Sequence, residues 1–170
     1  MSRGNLQRVR YSKKKALSAR KYLTFTLAGQ VYGINMFYVR EIAGRQNVSP
    51  ISQVPDYVQG VITKFDETIP VIDLRLRLGL PEAEATGRSC LIIVEIVQRL
   101  KITCGLLVDA INEVKSIPAE AIVMEESPED DFVMGQARSD SETRLLLNIY
   151  RVLHPEEIPV IENTHALRVV

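Results

Sequence analysis

From Tyr22 onward the apolar positions come in short alternating bursts. Tyr22-Leu-Thr-Phe-Thr-Leu27 sets bulky apolar residues against small polar ones, Ala28-Gly29-Gln30 interrupts, and Val31-Tyr-Gly-Ile34 resumes. Period-two alternation predicts strands, and the glycine between the two runs predicts a hairpin. Asn35 to Tyr38 has the makings of a short helical turn, and Val39-Arg-Glu-Ile42 reads as a strand again. Val39 and Ile42 are out of strict alternation, so a bend or bulge is expected there. Pro50 and Pro55 bracket a loop, with Asp56 placed to cap a one-turn helix. Gly60 to Thr63 and Thr68 to Ile72 flank Lys64-Phe-Asp-Glu67 as a second hairpin. Pro70 has no N–H to give a ladder, so it is expected at an edge or bulge. Asp73 to Gly79 reads as a short helix with Asp73 as N-cap and Gly79 as its stop.

The polar stretch from Pro81 to Gly87 is the best candidate for a boundary between two units. Beyond it, Cys90 to Val97 is a continuous apolar run, as expected of a strand covered on both faces. Ile102 to Asp109 returns after a turn at Gln98 to Leu100, and Ile111 to Ile117 continues as an amphipathic strand. Pro118 opens a short helical turn through Ile122. Val133 to Ser139 and Thr143 to Ile149 form a last hairpin, and Tyr150 to Leu153 one helical turn. Eight or more short strands with frequent turn signals predict an all-β sandwich or barrel with a few short helical turns. Val71-Ile-Asp-Leu74 and Leu107-Val-Asp-Ala110, each after a hairpin, hint at two related units.

Charge changes this picture at the ends. Residues 1–21 hold eight bases and no acid, which leaves 13 bases against 21 acids in the remainder. A basic flexible tail over residues 1–21 therefore precedes an acidic body, with a domain over 22–154 and a segment of uncertain structure over 155–170. No run is apolar enough to span a membrane, and the N-terminus lacks the pattern of a secretory signal. Cys90 and Cys104, inside apolar runs, are expected as reduced core thiols of a cytoplasmic protein.

Candidate chemistry is sparse. His154 and His165 are eleven residues apart with no cysteine nearby, a spacing that suits no metal. Phosphate-cradling and nucleophile-elbow glycine motifs are missing. Asp73 and Asp109 follow apolar strands, where a catalytic acid can sit, but capping a helix or holding backbone N–H groups at a strand end is the stronger reading of each. Glu125 to Asp131 is an acidic loop without calcium-ligand spacing. No catalytic, cofactor or metal residues are assigned. On residues alone an adaptor stays open beside two other classes. One is a hydrolase or transferase built on Asp73 or Asp109; the other binds nucleic acid or a membrane surface through residues 3–21.

Taken in order, several segments resemble the CheW coupling proteins of bacterial chemosensory arrays. Tyr22 to Ile34 resembles the family's opening hairpin, and Val39-Arg-Glu-Ile42 its V-x-E-I segment. Ile51 to Pro55, Gly60-Val-Ile62 and Ile69-Pro-Val-Ile-Asp-Leu-Arg75 resemble its P-x-x-P…G-x-x-N-x-R-G…P-V-I-D-L-R stretch. Gly105 to Val114 resembles the second-half signature. The resemblance implies two intertwined, five-stranded SH3-like barrels around one hydrophobic core, and an adaptor without catalysis or cofactor. Its implied partners are a CheA-like histidine kinase regulatory domain and a chemoreceptor cytoplasmic tip. No nucleic acid is expected, and membrane association would be only indirect, through receptor arrays. The implied partner-binding residues are Val39, Glu41, Ile42, Gly60, Ile62, Thr63, Lys64, Phe65 and Asp66. One departure stands out: the family's functional arginine falls on Phe65, and its hairpin glycine on Asp66. Either the partner surface here is more apolar than usual, or receptor coupling has been lost while kinase contact is kept.

Overall fold

The computed structural model describes residues 19–99, 101–124 and 132–158. The basic segment before Ala19, the acidic loop 125–131 and residues 159–170, including His165, lie outside them. Within the described residues the chain makes two antiparallel-rich sheets. One holds β1 (Ala19–Leu27), β2 (Gln30–Asn35), β8 (Ala110–Pro118), β9 (Ile122–Met124), β10 (Val133–Ser139) and β11 (Glu142–Leu147). The other holds β3 (Val39–Ala43), β4 (Val58–Lys64), β5 (Glu67–Asp73), β6 (Cys90–Val97) and β7 (Lys101–Val108). Their orders are β8-β1-β2-β11-β10-β9 and β3-β6-β7-β5-β4. The first has six strands rather than five because the three residues of β9 add to the edge of β10.

The hairpins follow from their turn residues. Ala28 and Gly29, Phe65 and Asp66, and Asp140 and Ser141 all take positive φ, the two-residue geometry that matches strand twist. β1 begins three residues before the expected start: Ala19 to Lys21 pair with Pro118 to Ser116, so the basic segment yields its last part to the sheet. Asn35 caps a 3-10 turn (Met36–Tyr38) by accepting from the Phe37 N–H. The helix expected after Asp56 does not form; Val58 N–H bonds Pro55 O and closes a plain turn that leads straight into β4. Asp73 caps α1 (Leu74–Arg77) as expected, and Asn148 caps α2 (Ile149–Val152).

Pro70 sits in an interior strand, yet locally it behaves as an edge residue. Its partner Val61 turns both backbone groups outward to Ser49, so the pair needs no bond from proline. The parallel pairing of β5 with β7 begins one residue later, at Val71. Gly60 makes the Ser49 bridge possible. Its φ is 146°, and a Cβ there would lie 2.1 Å from Ser49 O.

The connector over 81–87 is not the boundary between the two units. It joins α1 to β6, and the strands on either side belong to the same sheet. The middle strands build one barrel, while the first two and the last four build the other. Parallel seams β2/β11 and β5/β7 close this intertwined arrangement.

Side-chain periodicity divides the interior accordingly. Along β6, Ile92, Val94 and Ile96 enter the large core shared by both sheets, while Leu91 and Ile93 enter a smaller cluster with Ile62, Ile69 and Val71. Both faces of β6 are thus covered, as its unbroken apolar run requires. Each buried aliphatic side chain contributes about 1.5–3 kcal/mol. The shared core also takes Phe25, Ile34, Leu106, Val152 and Leu153, and Ile158, which is fully buried. Buried Arg77 holds this last segment. Its guanidinium lies between the rings of Tyr57 and Phe132, donates to Val152 O at 2.8 Å, and pairs with Glu157 at 2.7 Å.

A candidate partner-binding surface where β3 meets the β4–β5 hairpin

β3 and β4 are the outer strands of the middle sheet, and side chains bring them together. Lys64 Nζ at the hairpin is 3.1 Å from Glu41 Oε1 on β3. Arg40 Nη1 is 3.4 Å from Glu67 Oε2 on β5 and 3.4 Å from Glu95 Oε2 on β6. The barrel therefore closes through a small network of opposite charges.

The geometry of β3 explains which residues face outward. The ladder to β6 slips between Val39 and Glu41, so Arg40 is the extra residue of a bulge. Both Arg40 and Ile42 are exposed as a result, while Val39 is half-buried and packs against the shared core. Glu41 is half-buried, and its Oε2 is screened from solvent without a donor.

The hairpin carries the other expected residues. Thr63, Phe65 and Asp66 are exposed, with Lys64 between them half-buried by its pairing. Ile62 is 5% exposed and faces the inner cluster, so it supports the surface rather than forming it. Gly60 also supports, through the close approach of Ser49. Phe65 has φ 55°, a conformation that costs a non-glycine residue about 1–2 kcal/mol. The residue is nonetheless 42% exposed, and the Arg40 guanidinium lies 4.0 Å from its ring centroid. The position read from sequence as having lost a charge thus has a guanidinium beside it, delivered by the neighbouring strand. Lys64 does not point away from this side; its Nζ is 5.7 Å from the same ring.

Next to Arg40 opens a groove of about 470 Å³ between Phe37 and Val97, with Tyr38, Val39, Glu95, Lys101 and Tyr150 in its walls. Phe37 is 85% exposed and Val97 68%. Tyr38 stands edge-on between Phe37 and Tyr150, with centroids 5.4 and 5.6 Å away. Sequence reasoning did not mark Phe37, Arg40, Val97, Lys101 or Tyr150 as surface-forming. The one available signal was at Phe37, an aromatic residue in a three-residue turn too short to have a buried face.

The two candidate catalytic acids have structural tasks. Asp73 Oδ1 accepts from Leu76 N–H at 3.3 Å, and burial pushes its carboxyl above the usual range. Asp109 forms a two-pronged pair with Arg75, Nε to Oδ1 at 2.7 Å, and accepts from Ala28 N–H at 2.9 Å. The Arg75 bonds hold its carboxyl below the usual range. Neither lines the groove. Cys90 and Cys104 are free thiols, and burial pushes Cys104 far up. Among the described residues no three potential ligands gather around a metal position.

A family model described as a CheW-like domain matches residues 21–157. The chain is 28% identical to the chemotaxis protein CheW of Klebsiella aerogenes, over 84% of this chain and 87% of that one. It is 32% identical to the chemotaxis protein CheW of Rhizobium meliloti, over 70% of this chain and 75% of that one. Among solved structures it resembles the crystal structure of scaffolding protein TtCheW from Thermoanaerobacter tengcongensis. There the TM-score is 0.73 at 30% identity, covering 81% of this chain and 94% of that one.

Proposed function

Because the chain belongs to the CheW-like domain family, we propose that it couples a chemoreceptor-type sensor to the regulatory domain of a histidine kinase. It is a non-catalytic scaffold of chemotaxis. The observation that carries the finer reading is the meeting of β3 with the β4–β5 hairpin beside an open groove rimmed by exposed apolar side chains. A helical tip with one apolar face matches such a groove, since aromatic anchors in a partly dry cleft concentrate binding energy. The kinase regulatory domain docks on the barrel that β3 to β7 form. The Glu41 side chain is partly exposed beside Lys64, and a cationic group on a partner would pair with it. Exposed Phe65 favours a partner surface more apolar than usual over a loss of coupling. Recruitment to membrane-bound arrays on the cytoplasmic side is then indirect, through the receptor. No helix among the described residues is long and apolar enough to cross a membrane.

Calorimetric titration with the kinase regulatory domain and a receptor-tip fragment from the same genome tests this reading. Micromolar binding of both is expected. Glu41→Arg should weaken binding about ten-fold or more while leaving the melting temperature within a few degrees. A folded wild type that binds neither would sink the proposal, and a Glu41→Arg protein that loses stability in step with binding would make Glu41 structural.

A further inference from the structure

The Arg40 side chain combines three features that pure barrel closure does not require. Both of its carboxylate contacts, to Glu67 and Glu95, are made by one nitrogen, Nη1, and both are long at 3.4 Å. Its Nε and Nη2 donors make no hydrogen bond among the described residues. The guanidinium also lies over the Phe65 ring, 4.0 Å from its centroid, at a solvent-exposed hairpin tip. A stacked guanidinium loses rotamer freedom before it meets a ligand, so less is lost when it binds.

The groove's ionisable walls are Arg40, Lys101 and Glu95, two cations against one anion, and Glu95 already contacts both cations at 3.4 Å. An occupant whose apolar face lies between Phe37 and Val97 meets the Arg40 guanidinium at one end, its charge shared with Glu67 and Glu95 through Nη1 alone. The free Arg40 donors form a planar fork suited to a carboxylate.

We propose that Arg40 is the specificity determinant of the groove: steadied by Phe65, it reads a carboxylate on the partner helix that lies between Phe37 and Val97. This rests on the adaptor reading above, with the receptor tip as occupant. Phe65 is a positioning residue that acts through Arg40.

The test titrates a receptor-tip fragment from the same genome into the wild type and four variants at low and high salt, with melting curves for each protein. Arg40→Gln should bind about ten-fold more weakly and with a shallower salt dependence. Arg40→Lys should recover part of the loss, because it restores charge without the fork. Phe65→Leu should weaken binding several-fold, and Phe65→Tyr, which keeps the ring, should bind like the wild type. If Arg40→Gln and Arg40→Lys both bind like the wild type with unchanged salt dependence, Arg40 has no such role and the adaptor reading stands. A wild type that is folded yet does not bind the tip overturns both. Equal losses in Phe65→Leu and Phe65→Tyr overturn the positioning role.

Discussion

Asp109 shows how one side chain can join parts of the chain that never share a sheet. It lies between β7 of one barrel and β8 of the other, takes the Ala28 N–H of the first hairpin, and grips Arg75 of α1. The sign of its contribution follows from the direction of its shift. Its folded carboxyl titrates below its unfolded one because Arg75 and the Ala28 N–H stabilise the anion. In the window between those two values the unfolded chain binds more protons, so stability is complete at neutral pH and is lost as pH falls through the folded value. Asp73 runs the other way: burial raises its folded value, so the fold gains relative to the unfolded chain as pH falls through that window. Asp109→Asn should therefore lower stability at neutral pH by about 1–3 kcal/mol and flatten the acid limb of the stability profile. Denaturant titrations from neutral to acid pH read this directly, and an acid limb as steep as the wild type's would place the titrating group elsewhere.

Among the elements, the hairpins were legible in sequence because their turns use residues that tolerate a left-handed backbone, or sit between runs of clear alternation. The β4–β5 hairpin was found although its tip contains phenylalanine, since the strands on both sides carried the signal. Other details were not legible. Ala19 to Lys21 join β1 only because Ser116 to Pro118 lie opposite, a pairing that no local pattern reveals. The helix expected after Asp56 is replaced by a turn closed through Pro55 O, because β4 starts too soon for a helix to follow. Gly60 is the element-scale feature with the clearest consequence. Its left-handed φ and the approach of Ser49 O leave no room for a methyl group, so Gly60→Ala must displace the Ser49 bridge and the start of β4. It should cost about 2–4 kcal/mol and weaken partner binding by moving the hairpin. An alanine variant with wild-type melting behaviour would show that the loop over 49–58 yields easily.

At the scale of the whole molecule, the family, the all-β class and the intertwining of two barrels were readable from ordered motifs, whereas the segments that form the seams were not. The connector over 81–87 has the composition of a domain boundary, yet it lies inside one barrel because each barrel is sealed by a parallel seam between distant segments. Contacts of long sequence separation form late and cooperatively. A fragment ending at Gly87 would hold β1 and β2 without β8 and β11, and β3 to β5 without β6 and β7. It should show no cooperative melting transition, and a sharp transition from that fragment would mean that one unit folds alone. The surface was only half legible for a related reason: the V-x-E-I strand and the hairpin tip stood out in sequence and do meet through the Lys64–Glu41 pair, but Arg40 gains its position from a bulge and from closure of the barrel.

The same connector has a practical side. Residues 81–88 are all exposed, they take part in neither seam, and none of them lines the groove. A loop with those properties accepts a guest sequence. A fluorescent reporter or an epitope inserted there would make the protein visible in living cells without fusing anything to either end of the chain.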